Sequence, residues 1–152
     1  MNNQVLIILG SESDLDRITK LPKTLDWFGI RFETIISSAH RNPEKTALIA
    51  REAKSKGVKV IIAAAGMAAH LPGVVAALTP LPVIGVPLDA SPLGGVDALY
   101  SIVQMPPGVP VTTVGINGAV NAGTLAAKII ALEDEKVAKK LDLFVANGSK
   151  IK

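Results

Sequence analysis

Two histidines, His40 and His70, are the side chains of this sequence best suited to move a proton near neutral pH. Arg41 follows His40 directly, and its planar guanidinium matches the geometry of a phosphate or a carboxylate. Pro43 comes two residues later and is typical of the first position of a helix, so the pair is predicted in a loop before a helix. The pair could also be a surface charge, Arg41, and a neighbour of a helix cap, His40. Its position at the predicted cleft favours a catalytic or binding role.

The segment 10–14, GSESD, carries groups suited to an anionic nucleotide. If a helix begins here, Ser11 and Ser13 lie at its amino end, where free N–H groups and the helix dipole favour phosphate. The charge of Asp14 is unsuited to phosphate, but its carboxylate can accept hydrogen bonds from ribose hydroxyls. Ordinary helix capping by Ser or Asp explains the same residues and is the more common case.

The second histidine follows a run of small residues, AAAGMAAH at 63–70. Small residues allow a ligand to approach the backbone closely. Tight packing of a helix on a sheet, with a hydrogen-bonded His70, is an equally good explanation. The loop 87–95 is rich in proline and glycine and is predicted to be a lid or a rim.

Several classes of function are excluded or disfavoured. The chain has no cysteine, and therefore no disulfide, thiolate nucleophile or cysteine-based metal site. His40, His70 and Asp14 on separate loops make only a weak zinc signature. The loops match neither a Walker A sequence nor a dinucleotide fingerprint, and they lack aromatic residues to stack on a flavin. Basic residues are scattered at a net charge of +3, so no nucleic-acid partner is expected.

Hydrophobic periodicity predicts strands and helices that alternate along the chain. The predicted strands are 4–9, 31–36, 58–63, 82–86 and 109–114. The predicted helices are 15–28 with a kink at Pro22, 43–56, 69–78, 95–103, 120–132 and 137–144. This alternation predicts the α/β class, as a three-layer αβα sandwich around a parallel sheet. Five strands favour the flavodoxin-like order 2-1-3-4-5, in which ligands bind where the order reverses, beyond the carboxyl ends of the strands.

The composition is consistent with such a fold. Hydrophobic residues make up 49% and aromatic residues 3% of the chain, which suits a sheet covered on both faces. The 152 residues fit one domain, 1–152, and the surplus of apolar side chains indicates a homo-oligomer. The first apolar run, 5–9, is too short for a signal peptide or a membrane span, so we expect a cytoplasmic protein with no membrane partner.

Four segments in this order resemble the PurE family, the 5-(carboxyamino)imidazole ribonucleotide mutases. They are GSESD at 10–14, SAHR at 38–41, AHLPG at 69–73 and LYSIVQMP at 99–106. The resemblance implies conversion of N5-carboxyaminoimidazole ribonucleotide to 4-carboxy-5-aminoimidazole ribonucleotide in purine (IMP) biosynthesis. It also implies a flavodoxin-like fold, a homo-octamer and no metal or cofactor. HLPG and His-Arg resemble the class I, mutase form of the family.

The resemblance implies a role for each polar residue in the three loops. His40 matches the proton-transferring catalytic histidine. The implied substrate-binding residues are Ser11, Asp14 and Arg41 for the nucleotide, Ser13 and Ser38 beside them, and Gly66, His70 and Leu71 around the carboxyl group or CO2. The reaction would be a decarboxylation followed by recarboxylation with trapped CO2. A C-terminal helix at about 133–146 is expected at a subunit interface.

Some residues depart from the family pattern. Ala64 and Met67 stand where glycines are expected, and Asp89 stands where a neutral polar residue is expected. Two alternatives stay open: a direct carboxylase that joins CO2 to aminoimidazole ribonucleotide, and a non-catalytic nucleotide-binding module of flavodoxin-like fold. The second gives no reason for His40 and His70 to converge.

Overall fold

The computed structural model describes residues 3–151, so both ends of the predicted 1–152 domain lie outside the described residues. The strands are β1 (Val5–Leu9), β2 (Phe32–Ile36), β3 (Val60–Gly66), β4 (Val83–Leu88) and β5 (Thr112–Thr113). The helices are α1 (Lys20–Phe28), α2 (Pro43–Glu52), α3 (Leu71–Ala76), α4 (Val96–Val103), α5 (Ala119–Ile130) and α6 (Glu135–Ala146). A 3₁₀ segment, Glu12–Ile18, precedes α1.

The five strands form one parallel sheet in the order β2-β1-β3-β4-β5, which confirms the predicted strand order. The three inner strands, β1, β3 and β4, are buried along almost their whole length. They read as continuous apolar runs because helices cover both faces of the sheet. β2 is an edge strand and is partly exposed.

Alternate side chains of the strands face two different helical layers. Val5, Ile7 and Leu9 pack into one core with α1, α5 and α6. Leu6 and Ile8 pack into the other with α2, α3 and α4. This arrangement confirms the predicted three-layer αβα sandwich.

The predicted single helix over 15–28 is wrong. The chain turns into a 3₁₀ segment at Glu12, and the α-helix begins only at Lys20. Pro22 explains the break, because a proline has no N–H to donate to a preceding turn and fits within the first turn of a helix. The earlier start places both Asp14 and Arg17 on a helical segment at the edge of the sheet.

Other predicted boundaries are wrong as well. β4 runs to Leu88 instead of ending at 86, so the loop predicted over 87–95 begins at Asp89, and α3 is shorter than the predicted 69–78. Three more differ for local reasons. The strand predicted over 109–114 is reduced to Thr112–Thr113, where Pro110 removes a backbone donor just before it. The helix predicted over 43–56 ends at Glu52, and turns continue to Gly57, whose φ of 87° is left-handed. β3 extends beyond 63 to Gly66, because Ala65 and Gly66 pair with β4.

Candidate active site

The carboxyl ends of β1, β2 and β3 meet at one edge of the sheet, since Leu9 pairs with both Ile36 and Ala64. A cavity of about 530 Å³ opens there, where the strand order reverses. All the site residues predicted from the sequence line it: Ser11, Ser13, Asp14, Ser38, His40, Arg41, Gly66, His70 and Leu71.

The loop after β1 presents two hydroxyl groups to the cavity. Ser11 is the N-cap of the 3₁₀ segment, and its Oγ accepts a hydrogen bond from the Ser13 backbone N–H at 3.3 Å. The two Oγ atoms lie 2.9 Å apart and share a hydrogen bond. The capping role expected of such residues is therefore present, and both serines are still exposed at the cavity.

Asp14 is a buried acid in the same loop. The residue is only 5% exposed, yet it lines the cavity. Burial raises the pKa of the Asp14 carboxyl above its ordinary value, while the Ser11 backbone N–H and the charge of Arg17 act in the opposite direction. A carboxyl group that has lost much of its hydration is well placed to accept hydrogen bonds from a ligand in the cavity.

The two histidines contact each other directly. His40 Nε2 lies 2.7 Å from His70 Nδ1, within hydrogen-bonding distance. The rings meet edge to face, with their centroids 4.8 Å apart and an interplanar angle of 84°. One nitrogen must donate and the other accept, so the contact makes the tautomers of the two rings depend on each other and restrains the orientation of both rings. The two histidines are 30 residues apart in the sequence, and they meet because the sheet places their two loops side by side.

Two hydrogen bonds fix the conformation of the loop after β2. Buried hydroxyls of Ser37 and Thr46 share a hydrogen bond of 2.8 Å, which fixes the loop to α2. The Arg41 backbone N–H donates to Ser38 Oγ at 3.3 Å. Neither ion pair found among residues 3–151 involves Arg41, so its guanidinium charge at the cavity is available to an anion.

The end of β3 makes the apolar wall of the cavity. A β-carbon on Gly66 would lie 2.5 Å from the Ala90 Cβ, so only glycine lets the 87–95 loop pack this closely. Met67 follows with a φ of 56°, a left-handed conformation that a glycine adopts without strain. Its side chain is 59% exposed and lines the cavity. Ala64 is fully buried in β3, away from the cavity lining.

The sequence analysis missed Arg17, Ala39 and Ala90 as parts of the wall, whereas Ala65, Met67 and Ala68 belong to the run 63–70 that it singled out. Arg17 could have been found had the helical segment been predicted from Glu12, since it then falls one turn after Asp14. The alanines carry no signal of their own. The 87–95 loop, predicted to be a lid or a rim, reaches the cavity through Ala90.

The described residues contain no group of three or more side chains of metal-binding type close together. Nor does any helix between residues 3 and 151 have the length and apolar character needed to cross a bilayer. The cavity combines two contacting imidazoles, a buried carboxyl, three serine hydroxyls and two guanidinium groups.

The chain is similar to known proteins over almost its whole length. It is 53% identical over 138 residues to the N5-carboxyaminoimidazole ribonucleotide mutase of Thermotoga maritima, covering 91% of this chain and 81% of that protein. It is 52% identical over 145 residues to the phosphoribosylaminoimidazole carboxylase of Schizosaccharomyces pombe, covering 95% of this chain but 26% of that protein. The chain thus spans about a quarter of the length of the fungal relative.

A solved structure has the same fold. A substituted PurE2 of Treponema denticola superposes with a TM-score of 0.88 at 29% identity, covering 98% of this chain and 92% of that one. The AIR carboxylase family matches residues 4–150. These similarities confirm the resemblance drawn from the four sequence motifs, and the chain belongs to the AIR carboxylase family, which includes PurE.

Proposed function

We propose that this chain is a mutase that converts N5-carboxyaminoimidazole ribonucleotide into 4-carboxy-5-aminoimidazole ribonucleotide in purine biosynthesis. The observation that carries the proposal is the 2.7 Å contact between His40 and His70 inside a cavity that also holds Arg41. This cavity therefore contains a proton-transfer group, His40, and an anion-binding group, Arg41. Relatives named as mutases are about 53% identical and are matched over most of their length.

In the first step His40 gives a proton to the carbamate nitrogen of the substrate. The bond between that nitrogen and the carboxyl carbon breaks, its electron pair stays on the nitrogen, and CO2 is released into the cavity. The hydrogen bond that His40 shares with His70 holds the His40 ring in one orientation during this transfer. The released amine donates electron density to the ring, which makes the adjacent ring carbon nucleophilic.

In the second step the ring carbon attacks CO2 and forms the new carbon–carbon bond. The ring carbon then carries both hydrogen and carboxylate. His40, now without its proton, removes this hydrogen as a proton, and the electrons of the C–H bond restore the aromatic ring. One histidine therefore serves both steps, and the reaction needs no net proton.

The wall around Gly66 suits a small apolar intermediate. Ala65, Gly66, Ala68 and Leu71 line the cavity next to His70 and offer few polar groups to compete for CO2. Holding CO2 against the ring carbon makes recarboxylation effectively intramolecular, an advantage of up to about 7–11 kcal/mol in ideal geometry.

The polar residues of the cavity suit the nucleotide. Ser11, Ser13 and Arg41 are proposed to bind the phosphate through hydroxyl and guanidinium donors, with Ser38 beside them. Asp14, buried next to them, is proposed to accept hydrogen bonds from the ribose hydroxyls.

The second candidate is direct carboxylation of aminoimidazole ribonucleotide by CO2, favoured by the name of the fungal relatives. That name belongs to proteins about four times as long as the matched region, so it describes more than this domain. The test is to supply the purified protein with the carbamate substrate, or with aminoimidazole ribonucleotide plus bicarbonate. Faster turnover of the carbamate supports the mutase, and faster turnover of the second pair overturns it.

The proposed role of His40 has its own test. We expect His40→Asn to bind the ribonucleotide with nearly unchanged affinity in calorimetry, while turnover falls by about 10²–10⁴-fold because the proton carrier is lost. Turnover within tenfold of the parent protein would remove His40 from the proposed role.

The proposed enzyme acts as a cytoplasmic homo-oligomer, expected to be an octamer. Apolar side chains exposed on α4 and α6 support self-association; they are Val96, Tyr100, Val103, Leu143 and Val145. Because Val137 and Phe144 of α6 are buried within the same chain, the interface expected of this helix must use its other face. Light scattering coupled to size-exclusion chromatography measures the number of subunits.

A further inference from the structure

Arg17 joins two loops of the candidate site. Its Nε donates to the backbone carbonyl of Asp89 at 3.0 Å, and its Nη1 donates to the backbone carbonyl of Ser13 at 3.4 Å. The first carbonyl belongs to the 87–95 loop and the second to the loop after β1. The guanidinium therefore lies between the segment proposed to hold phosphate and the loop that closes the cavity beside Gly66.

The charge of Arg17 is not neutralised by an ion pair among residues 3–151. Both acceptors that it contacts are neutral carbonyl oxygens, and two hydrogen bonds leave three of its five N–H groups for other partners. Arg17 lines the 530 Å³ cavity and also a neighbouring cavity of about 440 Å³. A charged donor group is thus present at the cavity wall.

The charge of the proposed substrate favours a second cationic side chain at the cavity. A phosphate monoester carries about −1.5 to −2 charges near pH 7, and the proposed substrate carries a carboxyl group as well. Arg41 supplies one positive charge, and an ionised Asp14, on whose carboxyl the charge of Arg17 acts, supplies one negative charge. Arg17 adds the second positive charge and donates to the Ser13 backbone carbonyl in the segment 10–14, here called the serine loop.

We propose that Arg17 is a second phosphate-binding residue and that it links phosphate binding to the 87–95 loop. The inference rests on the proposed function for the identity of the substrate. When phosphate occupies the serine loop, it completes the hydrogen bonds of Arg17 and holds the guanidinium against the Asp89 carbonyl. The loop that carries Ala90 is thereby ordered over the cavity.

The test compares Arg17→Gln and Arg17→Lys with the control Lys20→Gln. Lys20→Gln removes one positive charge, as Arg17→Gln does. Lys20 lines the neighbouring cavity but not the 530 Å³ cavity, so this control changes the charge nearby without touching the candidate site. Affinity for ribose 5-phosphate is measured by calorimetry, and KM and kcat are measured with the carbamate substrate. We expect Arg17→Gln to weaken binding about tenfold or more, as for a lost charged hydrogen bond, with kcat within about threefold. Arg17→Lys should recover part of the loss, and Lys20→Gln should change affinity less than twofold.

Hydrogen exchange of the backbone amides at 89–95 gives a second readout. Ribose 5-phosphate should slow exchange in the parent protein and in Lys20→Gln, but not in Arg17→Gln. Equal affinities for Arg17→Gln and Lys20→Gln overturn the inference, and so does a parent protein that does not bind ribose 5-phosphate. A parent protein that binds ribose 5-phosphate but converts no carbamate refutes the proposed function alone, since the binding comparison still tests Arg17.

Discussion

Replacing Gly66 by alanine tests whether the close approach of the 87–95 loop shapes the site. The added β-carbon would lie 2.5 Å from the Ala90 Cβ and 3.3 Å from the Leu88 carbonyl oxygen. Ordinary contacts begin near 3.4 Å, so the loop must move by about 1 Å. Such overpacking costs about 1–3 kcal/mol of unfolding free energy. A displacement of this size beside the reacting groups can lower kcat/KM by about 10²-fold.

Two further glycines provide matched controls. A β-carbon on Gly85 of β4 would lie 2.4 Å from Ile102 Cγ2, outside the cavity. Gly85→Ala should therefore lose similar stability while the folded protein keeps its kcat/KM. A β-carbon on the exposed Gly115 would meet no atom within 4 Å, so Gly115→Ala should change neither quantity.

The measurements are urea unfolding, for the free energy, and steady-state turnover of the carbamate substrate under conditions in which each variant is fully folded. If Gly66→Ala loses stability but keeps kcat/KM within twofold of the parent protein, the position of the loop does not matter for the reaction. If it loses neither, the steric reasoning itself is refuted.

Two other predictions concern Asp14 and Met67. Because burial raises the pKa of Asp14, the native state binds its proton more tightly than the unfolded chain does, and the contribution of Asp14 to the stability falls as pH rises above the ordinary value near 3.8. Asp14→Asn should thus gain stability relative to the parent between pH 4 and pH 7 in urea unfolding; a constant difference contradicts this. Met67→Gly should raise the unfolding free energy by up to about 1 kcal/mol, since relief of the left-handed strain outweighs the flexibility that glycine adds to the unfolded chain. Met67→Ala, which keeps the β-carbon, should show no gain.

The order of the strands and the three loops of the site could be predicted from the sequence. Continuous apolar runs mark β1, β3 and β4 as inner strands, because only strands covered on both faces lack polar residues. In a parallel sheet of this order, the loops that follow the first three strands meet at one edge. The convergence of Ser11, Arg41 and His70 therefore follows from local patterns and a topological rule.

The elements with weak local patterns were predicted less well. The 3₁₀ segment before α1 has no clear helical periodicity, so its start at Glu12 was missed, and Arg17 with it. The two-residue β5 depends on its pairing with β4 rather than on its own residues. Such short elements are determined by contacts with distant parts of the chain.

By itself, the sequence determined which residue types reach the edge of the sheet, since alternating apolar segments set the topology and the topology sets the order of the loops. Three features depend on tertiary packing: His40 and His70 lie 2.7 Å apart, Asp14 is buried, and Arg17 and Ala90 complete the wall. The physical reason is that these distances depend on strand register and on turns such as the left-handed one at Met67. Those features arise from packing between segments far apart in the chain, which no local pattern encodes.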